Sequence, residues 1–380
     1  MFVLDWFRDS ESLISEQLSV NPTGFVVYRQ IGSGTFGRVF AIQRQSDEQF
    51  FAVKILKKKD VESVSLACEL RVMSMSKPSP FLQQLTTSFP FQATYWIVSE
   101  ICPGTLDYFI RKKSRRRNVG ADQVRELMFE LLSALECLHR KSWMHGDVKP
   151  ENILITQDGH VRLTDFSCSY WFPANRKQIQ FPACFGTPAF MAPEIRQKQP
   201  LTVFCDLYSA GACFYELLRG CPPHKKHAQR WLRHHSQTST GDDDIDEATR
   251  ELGLFVVKLL SKDVDERLEG VREFMTHRSN CQEFGSKPIF EMEPINVGKP
   301  IGKQRFTQIC PKGSFPDTMN TVLDRWTVLP EQCEARVQLA IKHKAKSERG
   351  SSQIADSSQK SDSKQDSSQK TSEKESKSSN

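Results

Sequence analysis

The hydrophobic period of this 380-residue chain changes near residue 121, and any fold for it has to accommodate both halves. From Gly24 to Phe109 the apolar residues come in short runs: FVVYRQI (25–31), RVFAIQR (38–44), FFAVKIL (50–56) and YWIVSEI (95–101). Runs this rich in β-branched and aromatic residues read as strands. One stretch, 61–76, instead places Leu66, Leu70 and Met73 at helical spacing. From Ala121 onward the helical period takes over. VRELMFELLSALECLHR (124–140) repeats apolar residues at three and four, as a helix buried along one face does. Further helices are predicted at 204–219 and 247–261, and the runs 153–155 and 161–163, split by Asp158-Gly159, read as a hairpin. The fold class is α+β, a small strand-rich half followed by a larger helical half.

Composition narrows the function classes. Lys and Arg number 52 against 46 Asp and Glu, a net charge of +6. The last 34 residues, Ser347–Asn380, contain 13 serines and no aromatic residue, repeat DSSQK at 356–360 and 366–370, and balance six acids with six bases. A segment this poor in apolar surface cannot offset its ordering entropy, so 347–380 reads as a disordered tail. The +6 therefore lies elsewhere, most densely in RKKSRRR (Arg111–Arg117). That run reads as a solvated loop, a docking surface for an acidic partner, or a nuclear-import signal. A nucleic-acid role is not favoured. No apolar run reaches about 18 residues, so no membrane span is expected, and Met1–Phe7 lacks the basic start of a secretory signal. The 11 cysteines show no Cys-x-x-Cys pair. Cys205, Cys213 and Cys221 recur every eight residues, which reads as helix packing in a reducing compartment rather than a metal site. Cytoplasmic and/or nuclear residence is the expectation.

Chemistry enters with Gly32-Ser33-Gly34-Thr35-Phe36-Gly37, between two strand-like runs. Glycines there let a backbone approach phosphates closely. A dinucleotide-binding turn has the same letters but opens a helix, whereas this one continues as a strand. Ala52-Val53-Lys54 follows on the third strand and Glu69 on the helix, a lysine and the carboxylate that would hold its head in place. His145-Gly146-Asp147-Val148-Lys149-Pro150-Glu151-Asn152 then places a carboxylate, an ammonium and an amide within six residues. Asp165-Phe166-Ser167 follows 13 residues after Asn152, and FGTPAFMAPE (185–194) closes the series.

In that order these motifs resemble the eukaryotic protein kinase family, serine/threonine type, over roughly two thirds of the chain. The resemblance implies a bilobal kinase fold, ATP and Mg²⁺ as cofactors, and a protein substrate. By position, Lys54 and Glu69 would form the strand–helix ion pair. Asp147 would be the catalytic base, Lys149 the γ-phosphate contact, and Asn152 and Asp165 the metal ligands. Ile31, Gly32, Ser33, Gly34, Thr35, Phe36 and Gly37, with Val39, would close over the nucleotide. Ala52, Glu100, Cys102 and Leu154 would frame its base. Asp206 would anchor the catalytic loop and Arg267 would pair with Glu194. AVKILKKKDV and KPSPFLQQLTTSF resemble the AGC group, protein kinase C types especially, but no Phe-x-x-Phe motif occurs in the C-terminal region, as in a divergent member. The implied organisation is an N-terminal extension (1–24), a kinase domain (25–282), a C-terminal extension (283–346) with a helix predicted at 331–345, and the tail (347–380).

Three departures matter. Gly146 stands where most kinases carry an arginine that binds an activation-loop phosphate, and Ala183 stands where the phosphoacceptor is usual; no Ser or Thr lies between Tyr170 and Gly186. Losing both halves of the switch together reads as an unswitched, active enzyme; a weak or inactive kinase acting as a nucleotide-binding scaffold is the alternative. Ser167 replaces the usual glycine, and its Cβ disfavours a positive-φ flip by about 1 kcal/mol. Ser99, before Glu100, is small where it borders the adenine, which predicts an enlarged space behind it. Glu151 and Glu216 match acidic positions that bind basic residues ahead of the phosphorylated one, a lean toward basic substrates.

Overall fold

The computed structural model describes residues 23–34, 37–57, 63–76, 79–113, 120–172, 178–180, 185–223, 247–279, 292 and 294–301. Five strands, β1 (Phe25–Gly34), β2 (Gly37–Arg44), β3 (Phe50–Lys57), β4 (Leu85–Phe91) and β5 (Thr94–Glu100), form an antiparallel sheet in the order β1-β2-β3-β5-β4. Period-two alternation gives the sheet two apolar faces. Trp96 and Val98 pack with Phe40, Ile42, Val53 and Ile55 on one side. Tyr95 and Ile97 face α1 (Ser63–Met75) and its Leu66, Leu70 and Met73 on the other. β4 has no counterpart in the sequence reading because LTTSFPF is polar and contains Pro90; as the outermost strand it tolerates the missing N–H.

Beyond the sheet come β6 (Gly104–Thr105), α2 (Leu106–Lys113), α3 (Ala121–Arg140), β7 (Trp143–Met144), β8 (Ile153–Ile155), β9 (Val161–Leu163), β10 (Tyr170–Trp171), β11 (Ile179–Gln180), α4 (Pro193–Arg196), β12 (Pro200–Leu201), α5 (Cys205–Arg219), α6 (Glu247–Leu259) and α7 (Val264–Ser279). The expected helices at 61–76, 124–140, 204–219 and 247–261 are α1, α3, α5 and α6, and the expected hairpin is β8–β9. Leu127, Leu131 and Leu135 of α3 share one core with Phe214 of α5 and Val256 of α6, and that core continues unbroken into α1. Cys205 and Cys213 lie buried on α5, where loss of solvent pushes both thiols well above their ordinary value. The basic run is only partly loop: Arg111–Lys113 form the last turn of α2, and Arg111 pairs with Asp107 at 2.7 Å. Its remainder, 114–117, lies outside the described residues, as do 1–22, the helix predicted at 331–345, and the tail.

One feature was not legible as structure in 283–346. Residues 294–301 return to the small sheet, where Ile301 N–H donates to Val27 O at 2.9 Å and Arg29 N–H to Val297 O at 3.4 Å. Val297 and Ile301 are buried there. Gln157 Nε2, in the β8–β9 turn, donates to Met292 O at 3.3 Å, so the segment also touches the helical half.

Candidate active site

The register of β3 sets Lys54 opposite Val39 of β2 and Ile97 of β5, on the face toward α1. Its Nζ donates to Glu69 Oε1 at 2.7 Å and to Asp165 Oδ1 at 2.9 Å. Burial opposes the ammonium charge, but the two carboxylates outweigh it and raise the Lys54 pKa. Burial likewise opposes ionisation of Asp165, yet Lys54 and the Ser167 hydroxyl bring it down to about 2. Lys54 and Asp165 are therefore charged at neutral pH. Asp165 adopts φ 61°, a left-handed conformation that costs an L residue about 1–3 kcal/mol and persists only where the surroundings over-determine it. Those surroundings include the 3₁₀ turn Phe166–Cys168, in which Ser167 O accepts a 2.8 Å bond from Ser65 Oγ of α1. Helix α1 is thus fastened to this turn directly by Ser65 and through Lys54 by Glu69. Ser167 itself sits inside a 3₁₀ turn and needs no positive φ here.

A buried aspartate on α5 organises the loop after β7. Asp206 accepts from His145 N–H at 2.7 Å and Gly146 N–H at 2.9 Å, and faces His139 Nε2 at 2.9 Å. Gly146 takes φ +81°, and a Cβ built there would lie 2.6 Å from the Cys168 carbonyl oxygen. Gly186 takes φ +80°, with its Cβ position 2.7 Å from Gly146 O. Two glycines in left-handed backbone thus let the loop, the metal-motif turn and the start of GTPAF pack backbone to backbone. Asp147 stands at their junction. Its Oδ1 accepts from Thr187 N–H and Oγ1, both at 2.8 Å, and its Oδ2 from Lys149 Nζ at 2.6 Å. Asn152 Nδ2 donates to Asp147 O at 2.9 Å and Oδ2 at 3.3 Å. Both bonds use the amide nitrogen, so the amide oxygen is the atom Asn152 offers to a cation.

These groups open onto one cleft of about 880 Å³, within the range of small-molecule sites. Ile31, Gly32, Ser33, Gly37 and Val39 wall it from above, and Ala52, Glu100, Cys102 and Leu154 from the side and below. Gly34 ends β1, and Thr35 and Phe36 lie outside the described residues. Beside the small Ser99 the space is taken partly by the buried carboxamide of Gln83, and the cleft continues past it to Met73 and Ile97. Sequence reasoning missed Gln83, and also Met292, Pro294, Ile295 and Asn296, which line the cleft. Only the short alternation Ile295-Asn296-Val297 hinted at the latter.

The donor set fits a nucleotide with Mg²⁺. Asn152 and Asp165 offer hard oxygens, and Lys54 and Lys149 offer ammonium groups for phosphate. Among the described residues no three or more His, Cys, Asp or Glu form a closed metal cage. A site of one carboxylate and one amide suits an ion that keeps water and takes its other ligands from phosphate.

The same chain is similar to known proteins over this region. It is 32% identical over 308 residues to the serine/threonine-protein kinase Sgk1-A of Xenopus laevis, covering 78% of this chain and 66% of that one. It is 36% identical over 217 residues to Sgk1 of Danio rerio (55% and 48%), and 36% over 208 residues to Sgk3 of Mus musculus (53% and 41%). The matched stretches span 41% to 66% of these relatives' lengths. The profile of the protein kinase domain matches residues 25–279, and with Lys54, Glu69, Asp147, Asn152 and Asp165 converging on one cleft, this chain belongs to the protein kinase family.

Proposed function

We propose that the chain is a serine/threonine protein kinase, transferring the γ-phosphoryl group of ATP to a protein hydroxyl with Mg²⁺, and that it works without activation-loop phosphorylation. The observation that carries this reading is the assembled set Lys54–Glu69–Asp165 and Asp147–Lys149–Thr187, bonded around a Gly146 that has no guanidinium to await a phosphate. Ala183, the other half of the missing switch, lies outside the described residues. Bound ATP would supply the phosphoryl group. Asp147 orients the acceptor hydroxyl and takes its proton as oxygen attacks phosphorus; the bond to the β-phosphate oxygen breaks and ADP leaves. Lys54 and Lys149 would hold phosphate oxygens, and Asn152 and Asp165 would hold Mg²⁺, which when bound would screen the phosphate charge. Catalysis of this kind is positioning and electrostatics.

The scaffold alternative requires only nucleotide binding, and the intact bonding of Asp147 favours the enzyme. A lean toward basic substrates rests on Glu151 and Glu216, which with Asp107 form an acidic group beside Arg111. The test is protein made in bacteria, treated with phosphatase, and offered ATP and a generic Ser/Thr peptide. Transfer by the wild type and none by Asp147→Asn is the expected result. ATP binding without transfer by the dephosphorylated wild type overturns the proposal in favour of the scaffold.

A further inference from the structure

Gln83 belongs to none of the motifs above, yet its side chain stands between the two ends of the cleft. Residues 81–83 run alongside β9: Leu82 bridges Leu163 in parallel, Leu163 N–H donates to Phe81 O at 2.9 Å, and Gln83 N–H donates to Leu163 O at 2.9 Å. This pairing buries the Gln83 carboxamide (6% exposed) behind β5. Its Nε2 donates to Ser99 Oγ at 3.0 Å and to the Glu100 carbonyl oxygen at 3.3 Å, and its Oε1 accepts from the Thr164 hydroxyl. A backbone carbonyl only accepts, so the amide orientation is fixed by chemistry, with the nitrogen toward Glu100 and the oxygen toward Thr164. Thr164 immediately precedes Asp165, and its carbonyl faces His145 Nε2 at 2.9 Å.

We propose that Gln83 is a positioning residue that couples the base-binding end of the cleft, at Glu100, to the metal-binding end, at Asp165, through Thr164. The inference rests on the nucleotide site assigned above. Asp165 holds a left-handed backbone. The residue before it is restrained by Gln83 on its side chain and by His145 on its carbonyl. Releasing Thr164 lets that backbone relax and misplaces the carboxylate that would hold Mg²⁺. Releasing the Glu100 carbonyl loosens the strand end against which the base sits.

Two near-isosteric substitutions test this, Gln83→Leu and Thr164→Val, together with the double variant. Binding of ADP is titrated with and without Mg²⁺, and KM for ATP and kcat are measured beside melting temperature. Each single variant is expected to raise the Mg²⁺ concentration for half-maximal ADP binding about fivefold to tenfold, the scale of one or two buried hydrogen bonds. The double variant is expected to lose no more than the worse single one, because both cut the same link. Gln83→Leu alone is also expected to raise KM for ATP, since only it frees Glu100. A general loss of stability would lower the melting temperature without moving the Mg²⁺ midpoint. Midpoints within about twofold of wild type, or losses that multiply in the double variant, overturn the proposal. Should Gln83→Leu fail to fold, Thr164→Val decides by the Mg²⁺ midpoint alone. The ADP titration does not need phosphoryl transfer, so a wild type that binds ADP but transfers nothing refutes the kinase reading and still gives the answer for Gln83. A wild type that binds no nucleotide overturns both.

Discussion

At Glu216, burial and the carboxylates of Glu151 and Asp107 lift the carboxyl to about 7, against a pull from Arg111. Its folded value lies above the unfolded one, so its contribution to stability is present below the ordinary carboxylate range and is lost as pH rises through about 7. At neutral pH the fold therefore holds a half-ionised carboxylate that gains from a nearby cation. An arginine ahead of the phosphorylated residue would supply one. The expected outcome is a KM for an arginine-containing peptide that rises about tenfold as pH falls from about 8 to about 6, with little change for the same peptide carrying norleucine. Glu216→Gln should flatten that profile; an unchanged profile would show that Glu216 does not face the peptide. Gly146 carries a second expectation at this scale. Any side chain there meets the Cys168 carbonyl in a left-handed backbone, a cost of about 1–3 kcal/mol. Gly146→Ala and Gly146→Arg should both lower melting temperature and kcat, and Gly146→Arg should install no dependence on phosphorylation, as read by thermal melts and by activity before and after phosphatase treatment. A more active Gly146→Arg enzyme would refute this.

Among elements, those with a strong hydrophobic period were legible and those placed by their neighbours were not. α3 buries a regular stripe, so its apolar spacing announces it. α7, VDERLEGVREFMTHRS, scatters its apolar residues among charges and goes unannounced; Leu268, Val271, Phe274 and Met275 pack against the core, and the wholly buried Arg267 forks onto Glu194 of α4 at 2.7 and 2.9 Å. The motif residues were legible because their chemistry dictates side-chain type, whereas Gln83 was not, because its role comes from three partners distant in sequence. Ser99 was legible as a small residue, but not the amide beside it. The α4–α7 pair makes its own prediction. Burial pushes the Glu194 carboxyl up, but Arg267 outweighs it and holds the carboxyl below its usual range. A depressed folded value means stability that is present above the ordinary carboxylate range and is lost as pH falls through the folded value. Arg267→Met strands that carboxylate and should cost about 3–5 kcal/mol in chemical denaturation near neutral pH. The penalty should shrink on acidification as Glu194 protonates; a penalty independent of pH would show that packing of Arg267, whose guanidinium lies over the Tyr208 ring, dominates.

At the scale of the whole molecule, residues 292 and 294–301 tie the small sheet to the helical half beside the cleft. Val297 enters the cluster of Val26, Tyr28 and Ala41, and Ile301 enters that of Phe25, Val27 and Phe40, so one short segment occupies two separate pockets of the small sheet. Its other end accepts a bond from Gln157 in the helical half, and between these anchors Pro294, Ile295 and Asn296 line the nucleotide cleft. Burying one Val and one Ile contributes about 1.5–3 kcal/mol each, enough to hold the segment in place and too little to make it immovable. The double substitution Val297→Ser/Ile301→Ser should therefore free the segment without unfolding the core. Its expected signature is a several-fold rise in KM for ATP with kcat largely retained, because the chemistry at Asp147 is untouched while the cleft loses part of its lining. Hydrogen exchange should accelerate at the Ile301 and Arg29 amides, which donate to Val27 O and Val297 O, more than at Leu163 in the core. A variant whose KM for ATP equals that of wild type while those two amides exchange freely would show that the segment serves stability alone.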